Sequence, residues 1–180
     1  MASGTTCGAP CSPRAAEPVR PYGRGGPDVS AQRRLVIGRR LLQQVLEHCL
    51  EEKPLEACGI LAGTNGCVRT VFATDNARRS PVCFEVDPSQ QEEALRRIAE
   101  QGEELLGIYH SHPRAPAVPS GNNIGQAVHY PDAVRLIVSL DGPTDVGAFL
   151  IRNGRVDQVH LDISDELSGT YHDLRHRWDA

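Results

Sequence analysis

Two histidines separated by one residue, His110-Ser111-His112, constrain this chain more than any other feature of its sequence. On an extended strand, side chains two residues apart project from the same face, so both imidazoles can reach one metal ion. Ser120 follows after seven residues, and Asn123 comes three positions after Ser120. A third ligand at the start of the next element would complete a three-ligand site with a position left for water, as in catalytic zinc centres. The spacing therefore predicts a metal centre, in which an amide stands where a carboxylate is expected.

The composition is typical of a small protein with one domain. At 180 residues, one domain is the default, and a formal net charge of −4 favours neither nucleic acid nor a membrane as a partner. No segment approaches the roughly 20 apolar residues of a membrane-spanning helix, and the N-terminus lacks the apolar stretch of a signal peptide. We therefore expect a cytoplasmic protein whose six cysteines are free thiols.

A single structured unit is predicted between residues 34 and 163. Gly, Pro, Ser and Arg dominate residues 1–30, so we expect a disordered N-terminal tail. Apolar periodicity predicts strands at 34–37, 58–62, 67–74, 105–109, 135–140, 146–152 and 155–161, and helices at 38–51, 88–103 and 121–129. The charged C-terminal tail, residues 164–180, has a composition compatible with a helix. These elements predict an α+β fold, a mixed β-sheet flanked by helices.

Short local signals indicate where some of these elements begin and end. Gly63-Thr-Asn-Gly66 and Asn153-Gly154 are typical of hairpin turns. Pro88 suits the first turn of its helix, and Ser120 suits the N-cap of the helix that follows it. We expect the histidines outside the His110 pair to be structural or surface residues.

The stretch HSHPRAPAVPSGNN, residues 110–123, resembles the motif of the JAMM (MPN+) metalloproteases. In that motif His-[Ser/Thr]-His is followed by seven residues, Ser, two residues and Asp, and a Glu lies upstream. The glutamate matches Glu56 in PLEACGILAG, and FEVDP, residues 84–88, is similar to a recurrent segment of bacterial members. The resemblance runs from about Arg34 to about Ile163 and implies the JAMM/MPN sandwich, whose architecture is cytidine-deaminase-like. The H-x-E and P-C-x-x-C signatures of the deaminases are absent from the sequence.

The resemblance implies a role for each of five residues. His110 and His112 would be imidazole ligands of Zn²⁺, and Asn123 would occupy the third ligand position. Glu56 would act as general base and then as general acid, and Ser120 would donate a hydrogen bond to the tetrahedral oxyanion. Zinc lowers the pKa of a bound water to about 7 and acts as a Lewis acid, which is the chemistry that peptide hydrolysis needs.

Asn123 departs from the family pattern, which has Asp at this position. A neutral amide oxygen binds zinc more weakly than a carboxylate. Three explanations compete: a deliberate change from Asp, a natural variant with reduced activity or another metal, and a domain that has become a non-catalytic module. Because Glu56 and Ser120 are intact, we favour a parent with Asp at this position and place the deliberate change slightly ahead.

The resemblance is to the compact bacterial members of the family, because the chain is too short for large insertions. It implies a peptidase or isopeptidase that acts at the Gly-Gly C-terminus of a ubiquitin-like β-grasp sulfur-carrier protein and removes a C-terminal cysteine or another adduct. A general zinc amidase or deconjugase is the alternative enzyme. A non-catalytic MPN-type binding module is the alternative without chemistry, and zinc content distinguishes it from the enzymes.

Overall fold

A computed structural model describes residues 34–176 of the chain, so the predicted tail at residues 1–30, with Cys7 and Cys11, lies outside the described residues. The described elements follow one another in this order: β1 (Arg34–Gly38), α1 (Arg39–Glu51), β2 (Cys58–Thr64), β3 (Cys67–Thr74), α2 (Pro88–Glu100), β4 (Glu104–His112), α3 (Gly121–Gln126), a 3-10 helix (Ala127–His129), β5 (Val134–Ser139), β6 (Asp145–Arg152), β7 (Arg155–Gln158), β8 (His160–Ser164) and β9 (Thr170–Asp173). Within this range no helix combines the length and the apolar character needed to cross a membrane.

The strands form one mixed sheet, which confirms the predicted α+β fold. Its order is β7-β6-β5-β4-β2-β3-β1-β8, with β9 paired to β3. Successive side chains of a strand point to opposite faces, and the sheet therefore separates two cores. Leu61 of β2 packs in the core that contains α1, whereas Ile60 and Ala62 pack in the core that contains α2. Both helices thus cover the sheet with their apolar sides, as the periodicity predicts.

Turn and cap chemistry follows the sequence signals closely. Asn65 and Gly66 have φ values of 52° and 73°, the positive values that a tight hairpin turn between β2 and β3 requires. The Asp87 carboxylate accepts hydrogen bonds from the Ser89 and Gln90 N–H groups and caps α2. That helix ends at Glu100 and not at the predicted residue 103, because Gly102 takes a φ of 64°.

The prediction of one strand at residues 155–161 is wrong. Val159 interrupts it, and its N–H donates to the Ala148 carbonyl at 2.8 Å. Before this residue β7 pairs with β6, and after it β8 pairs with β1 at the other end of the sheet order. A single buried residue therefore connects the two ends of the sheet, so the sheet curls around α1.

The C-terminal segment contains a strand and not the helix compatible with its composition. β9 runs parallel to β3, with Val71 opposite Tyr171. Beyond it, Arg175 forms ion pairs with Glu51 and Glu52 at the end of α1. The folded unit thus extends past the predicted boundary at residue 163, because pairing with β3 outweighs the local charge pattern. Three cysteines of this unit, Cys49, Cys58 and Cys67, are free thiols, as expected for them.

The buried imidazole of His48 on α1 should make the stability of the fold sensitive to acid. Its Nδ1 lies 2.8 Å from the Tyr109 hydroxyl, and burial, with a smaller contribution from Arg175, lowers the pKa of His48 from 6.5 to about 3. Between these values the unfolded chain binds a proton that the folded chain does not, so stability falls as the pH drops below 6.5. Between pH 7 and 5 the protein should lose on the order of 2 kcal/mol more stability than a His48→Gln variant.

Urea unfolding at both pH values measures this difference. The control is His129→Gln, which removes an exposed imidazole and should keep the acid sensitivity of the unmodified protein. Parallel stability curves for the His48→Gln variant and the unmodified protein would contradict the assignment.

Candidate metal centre

The central strand β4 carries both histidines of the predicted pair. The strand extends to His112 and not only to the predicted residue 109, and it pairs with β2 on one side and β5 on the other. Ile108 packs in the core that contains α2. His110 and His112 follow it at two-residue intervals, so their side chains lie on the same face of β4. Both side chains are buried, and their Nε2 atoms are 3.1 Å apart. The structure therefore brings the two imidazoles to one point, as the spacing predicts.

Different contacts orient the two rings. The Nδ1–H of His112 donates to the Pro116 carbonyl at 2.8 Å, so the neutral ring has its lone pair on Nε2. The His110 ring stacks on Phe84, with ring centres 4.4 Å apart and planes at 21°, and its Nδ1 has no hydrogen-bond partner within residues 34–176. Burial is the main cause that lowers the pKa of both histidines, so both are neutral and able to ligate.

The paired nitrogens fit a zinc ion. Two ligands at about 2.05 Å from Zn²⁺ in a tetrahedral arrangement are about 3.3 Å apart, close to the observed separation of the Nε2 atoms. Across residues 34–176, however, no three His, Cys, Asp or Glu side chains cluster in a way that could hold a metal ion. The third position in the predicted donor set is the amide of Asn123, which raises the pKa of both imidazoles and so partly opposes the effect of burial.

Asn123 also caps the helix on which it lies. Its Oδ1 accepts hydrogen bonds from the Ser120 N–H at 2.8 Å and the Ser120 hydroxyl at 2.9 Å. The hydroxyl in turn accepts from the Asn123 N–H at 3.3 Å, so the predicted N-cap at Ser120 is part of a full capping box. An amide oxygen has two lone pairs, and both are used here. The other end of the amide is an NH₂ group, which donates hydrogen bonds and cannot bind a metal.

Glu56, the predicted general base, is a buried carboxyl group whose neighbour Ala57 is hydrogen-bonded to Ser111, between the two histidines. It precedes β2, is only 4% exposed, and its Oε2 has no hydrogen-bond partner in the described part of the chain. Burial raises the pKa of Glu56 from 4.5 to about 8, so the carboxyl holds a proton at neutral pH when no ion lies nearby. A bound cation would favour the ionised form and lower this pKa.

Two residues that the sequence analysis did not assign also shape the site. Ser111, between the two histidines, accepts a hydrogen bond from the Ala57 N–H at 2.8 Å, and its own N–H donates to the Ala57 carbonyl at 3.0 Å. These two hydrogen bonds hold Ala57, the residue after Glu56, against β4. Phe84 is the second, and its place in the FEVDP segment is the only sequence signal that could have indicated it.

Comparisons with known proteins find similar sequences and a similar fold. A family model described as "Prokaryotic homologs of the JAB domain" matches residues 38–149. A "Probable TtuB-protein conjugate cleaving protease" of Thermus thermophilus is 35% identical over 122 residues, 67% of this chain and 78% of that protein. A "CysO-cysteine peptidase" of Mycobacterium tuberculosis is 31% identical over 136 residues, 73% of this chain and 92% of that protein. A solution structure from Desulfitobacterium hafniense is similar at a TM-score of 0.67 and 31% identity, covering 74% of this chain and 94% of that one.

The buried carboxyl of Glu56 predicts a stability cost in the metal-free protein. Because its folded pKa is raised, its contribution to stability is complete below pH 4.5 and is lost as the pH rises through about 8. The test uses protein from which a chelator has removed any metal. The gain in free energy of unfolding that Glu56→Gln gives over the unmodified protein should be larger at pH 8 than at pH 5, by on the order of a few kcal/mol. Urea unfolding at the two pH values is the measurement. Glu92→Gln, at an exposed site on α2, is the control, and an equal pH response of both variants would refute this account of Glu56.

Proposed function

The chain belongs to the family of prokaryotic homologs of the JAB domain, and from that membership we propose that it is a zinc-dependent peptidase or isopeptidase weakened by Asn123. The observation that carries the proposal is the pair of buried, neutral imidazoles whose Nε2 atoms lie 3.1 Å apart. Without an ion, the Nε2–H of His110 can donate to the Nε2 lone pair of His112, whose own proton lies on Nδ1. A zinc ion in place of that shared hydrogen would bind both nitrogens, with the proton of His110 on its Nδ1.

His110 and His112 would hold the zinc ion through Nε2, and Asn123 would be a weak third ligand. To bind through Oδ1, Asn123 has to give up one of its two hydrogen bonds from Ser120. An aspartate would not face this conflict, because one carboxylate oxygen can cap the helix while the other faces the ion. Zinc, when bound, supplies a Lewis acid for the scissile carbonyl and an activated water.

Two side chains would then move or stabilise charge. Glu56 would take a proton from the attacking water on its carboxylate and deliver it to the leaving amine, and its burial keeps this proton shuttle away from bulk solvent. Ser120 would donate its hydroxyl hydrogen to the developing oxyanion. That donation requires the hydroxyl to turn away from Asn123 Oδ1, while the Ser120 N–H maintains the cap.

The proposed substrate is a ubiquitin-like β-grasp sulfur carrier with a Gly-Gly C-terminus. The names of two relatives state what they cleave: one is a TtuB-protein conjugate cleaving protease, and the other is a CysO-cysteine peptidase. Glycines suit a tail that enters between Glu56 and the loop at 113–119, because no side chain obstructs a close approach to the imidazoles. Hydrolysis would release the C-terminal cysteine or another adduct and restore the Gly-Gly end.

A non-catalytic binding module is the second candidate, and the geometry of Asn123 favours it. With both lone pairs of Oδ1 engaged, the donor set consists of two imidazoles only. Such a module would bind the carrier without cleaving it. Purified protein with no zinc above the level of a His110→Ala/His112→Ala double variant would favour this candidate over the enzyme.

Asn123→Asp should strengthen zinc binding. The carboxylate adds a free oxygen and a negative charge, so zinc affinity should rise by at least about tenfold, a typical scale for changes around a metal ligand. Competition with a chromophoric chelator measures the affinity. Asn122→Asp is the matched control, since it adds the same charge one residue away at an exposed position. Equal affinities of the two variants would mean that Asn123 is not at the metal.

Asn123→Asp should also increase cleavage. Mass spectrometry of CysO bearing a C-terminal cysteine would record the loss of that residue.

Glu56→Gln, introduced into the Asn123→Asp protein, should abolish cleavage and preserve carrier binding, since it removes the base and not the groove. Glu92→Gln is the control. A bulky residue in place of the final glycine of the carrier should block cleavage. Turnover that survives Glu56→Gln would overturn the proposed mechanism.

A further inference from the structure

The loop between β3 and α2 returns to its starting point beside Glu56. Asn76 and Val86 form an isolated antiparallel bridge, and the Ala77 N–H donates to the Glu85 carbonyl at 2.8 Å. Residues 76–86, here called the bridge loop, therefore form a closed unit. Its Ser80 carbonyl accepts a hydrogen bond from the Glu56 N–H at 2.9 Å. The backbone of the proposed general base is thus attached to this loop and not to a neighbouring strand.

One side chain, the amide of Asn76, holds the bridge loop together. Its Oδ1 accepts from the Arg78 N–H at 3.0 Å and the Glu85 N–H at 3.1 Å. Its Nδ2 donates to the Cys83 carbonyl at 3.1 Å and, outside the loop, to the Glu56 carbonyl at 2.9 Å. Asn76 is 8% exposed, so water does not readily replace these four bonds.

These bonds connect the two halves of the site. Through Ser80 and Asn76, the bridge loop satisfies both backbone polar groups of Glu56. The Asn76 side chain also forms hydrogen bonds with the backbone of Cys83 and Glu85. These residues flank Phe84, whose ring stacks on His110. His110 has no partner for Nδ1 in the described chain, so this stacking takes the place that an outer hydrogen bond has for other metal-binding histidines.

We propose that Asn76 is a positioning residue, which sets the base Glu56 and the ligand His110 in register through one amide. The inference rests on the proposed function, since it assigns Asn76 a part in that reaction. It differs from a purely structural role in one respect. Within the loop the acceptor Oδ1 holds the N–H groups of Arg78 and Glu85, whereas the donor Nδ2 holds the Glu56 carbonyl together with the loop carbonyls of Cys83 and, at 3.5 Å, Ser80. An aspartate retains the first set of bonds and loses the second.

Asn76→Asp in the Asn123→Asp protein is the main test, with Asn76→Ala as a second variant. We expect kcat on CysO-cysteine to fall at least about tenfold while KM stays within about threefold, because the groove is intact and the base is displaced. Gln90→Ala is the control. Gln90 is another buried amide, but its bonds go to Asp75 and His176 and do not reach Glu56. All proteins are compared below the unfolding temperature of the least stable one.

A second readout needs no turnover. In Asn76→Asp the Glu56 amide hydrogen should exchange with solvent at least about tenfold faster, while the Glu85 amide, whose acceptor remains, should keep its protection. In Asn76→Ala both amides should lose protection, and in Gln90→Ala neither should. If the variants do not fold, the unmodified protein still decides, because a loop that holds Glu56 in place should protect the Glu56 hydrogen as well as the Glu85 hydrogen. A Glu56 hydrogen that exchanges freely while the Glu85 hydrogen is protected would overturn the proposal.

The outcomes separate the two proposals. If the Asn123→Asp parent does not cleave, the proposed function fails, and the exchange pattern alone decides the role of Asn76. If the parent cleaves and Asn76→Asp leaves kcat within about twofold, or Gln90→Ala lowers kcat equally, the positioning role is overturned. Exchange at Glu56 that is unchanged in Asn76→Asp overturns it as well.

Discussion

Two uncharged imidazole nitrogens that face each other at 3.1 Å in the protein interior are the constraint on which the rest of the site depends. Burial keeps both rings neutral, so one Nε2 can donate a hydrogen bond to the other, and an ion that replaces this hydrogen would meet two neutral ligands. Contacts around the rings hold them in this approach. The central strand β4, held by neighbours on both sides, supplies the spacing. The Pro116 carbonyl and the Phe84 ring supply the two orientations.

The start of α3 shows how one side chain can serve two structural demands. A helix N-terminus needs an acceptor for its free N–H groups, and a metal centre needs an oxygen ligand. In this fold the residue at position 123 lies where both demands meet. A carboxylate has an oxygen for each, whereas the amide of Asn123 has a single oxygen, and the structure gives it to the helix. The helix is therefore well capped while the donor set stays incomplete, so a helix-capping preference and a ligand preference conflict at a single atom.

Much of the fold and site could be predicted because the decisive signals are local. The His110 and His112 spacing requires only that the segment be a strand, and the Asn65-Gly66 turn requires only positive φ values. What escaped prediction depends on distant partners. The break at Val159 lies inside an uninterrupted strand pattern and exists because the two flanking segments pair with opposite ends of the sheet. Asn76 lies in a loop without periodicity, where nothing in the sequence indicates that its amide reaches Glu56.

The single-residue link at Val159 has a consequence for how the molecule opens. β7 and β8 are the terminal strands of the sheet order, and in an open sheet they could fray independently. Here any detachment of β7 pulls on Val159, whose side chain is buried in the same core as α1, and so loosens β8. The two margins of the sheet are thereby coupled and should open together. Such coupling also limits the time for which either margin offers unpaired backbone groups to another chain, which protects a nine-stranded sheet from aggregation.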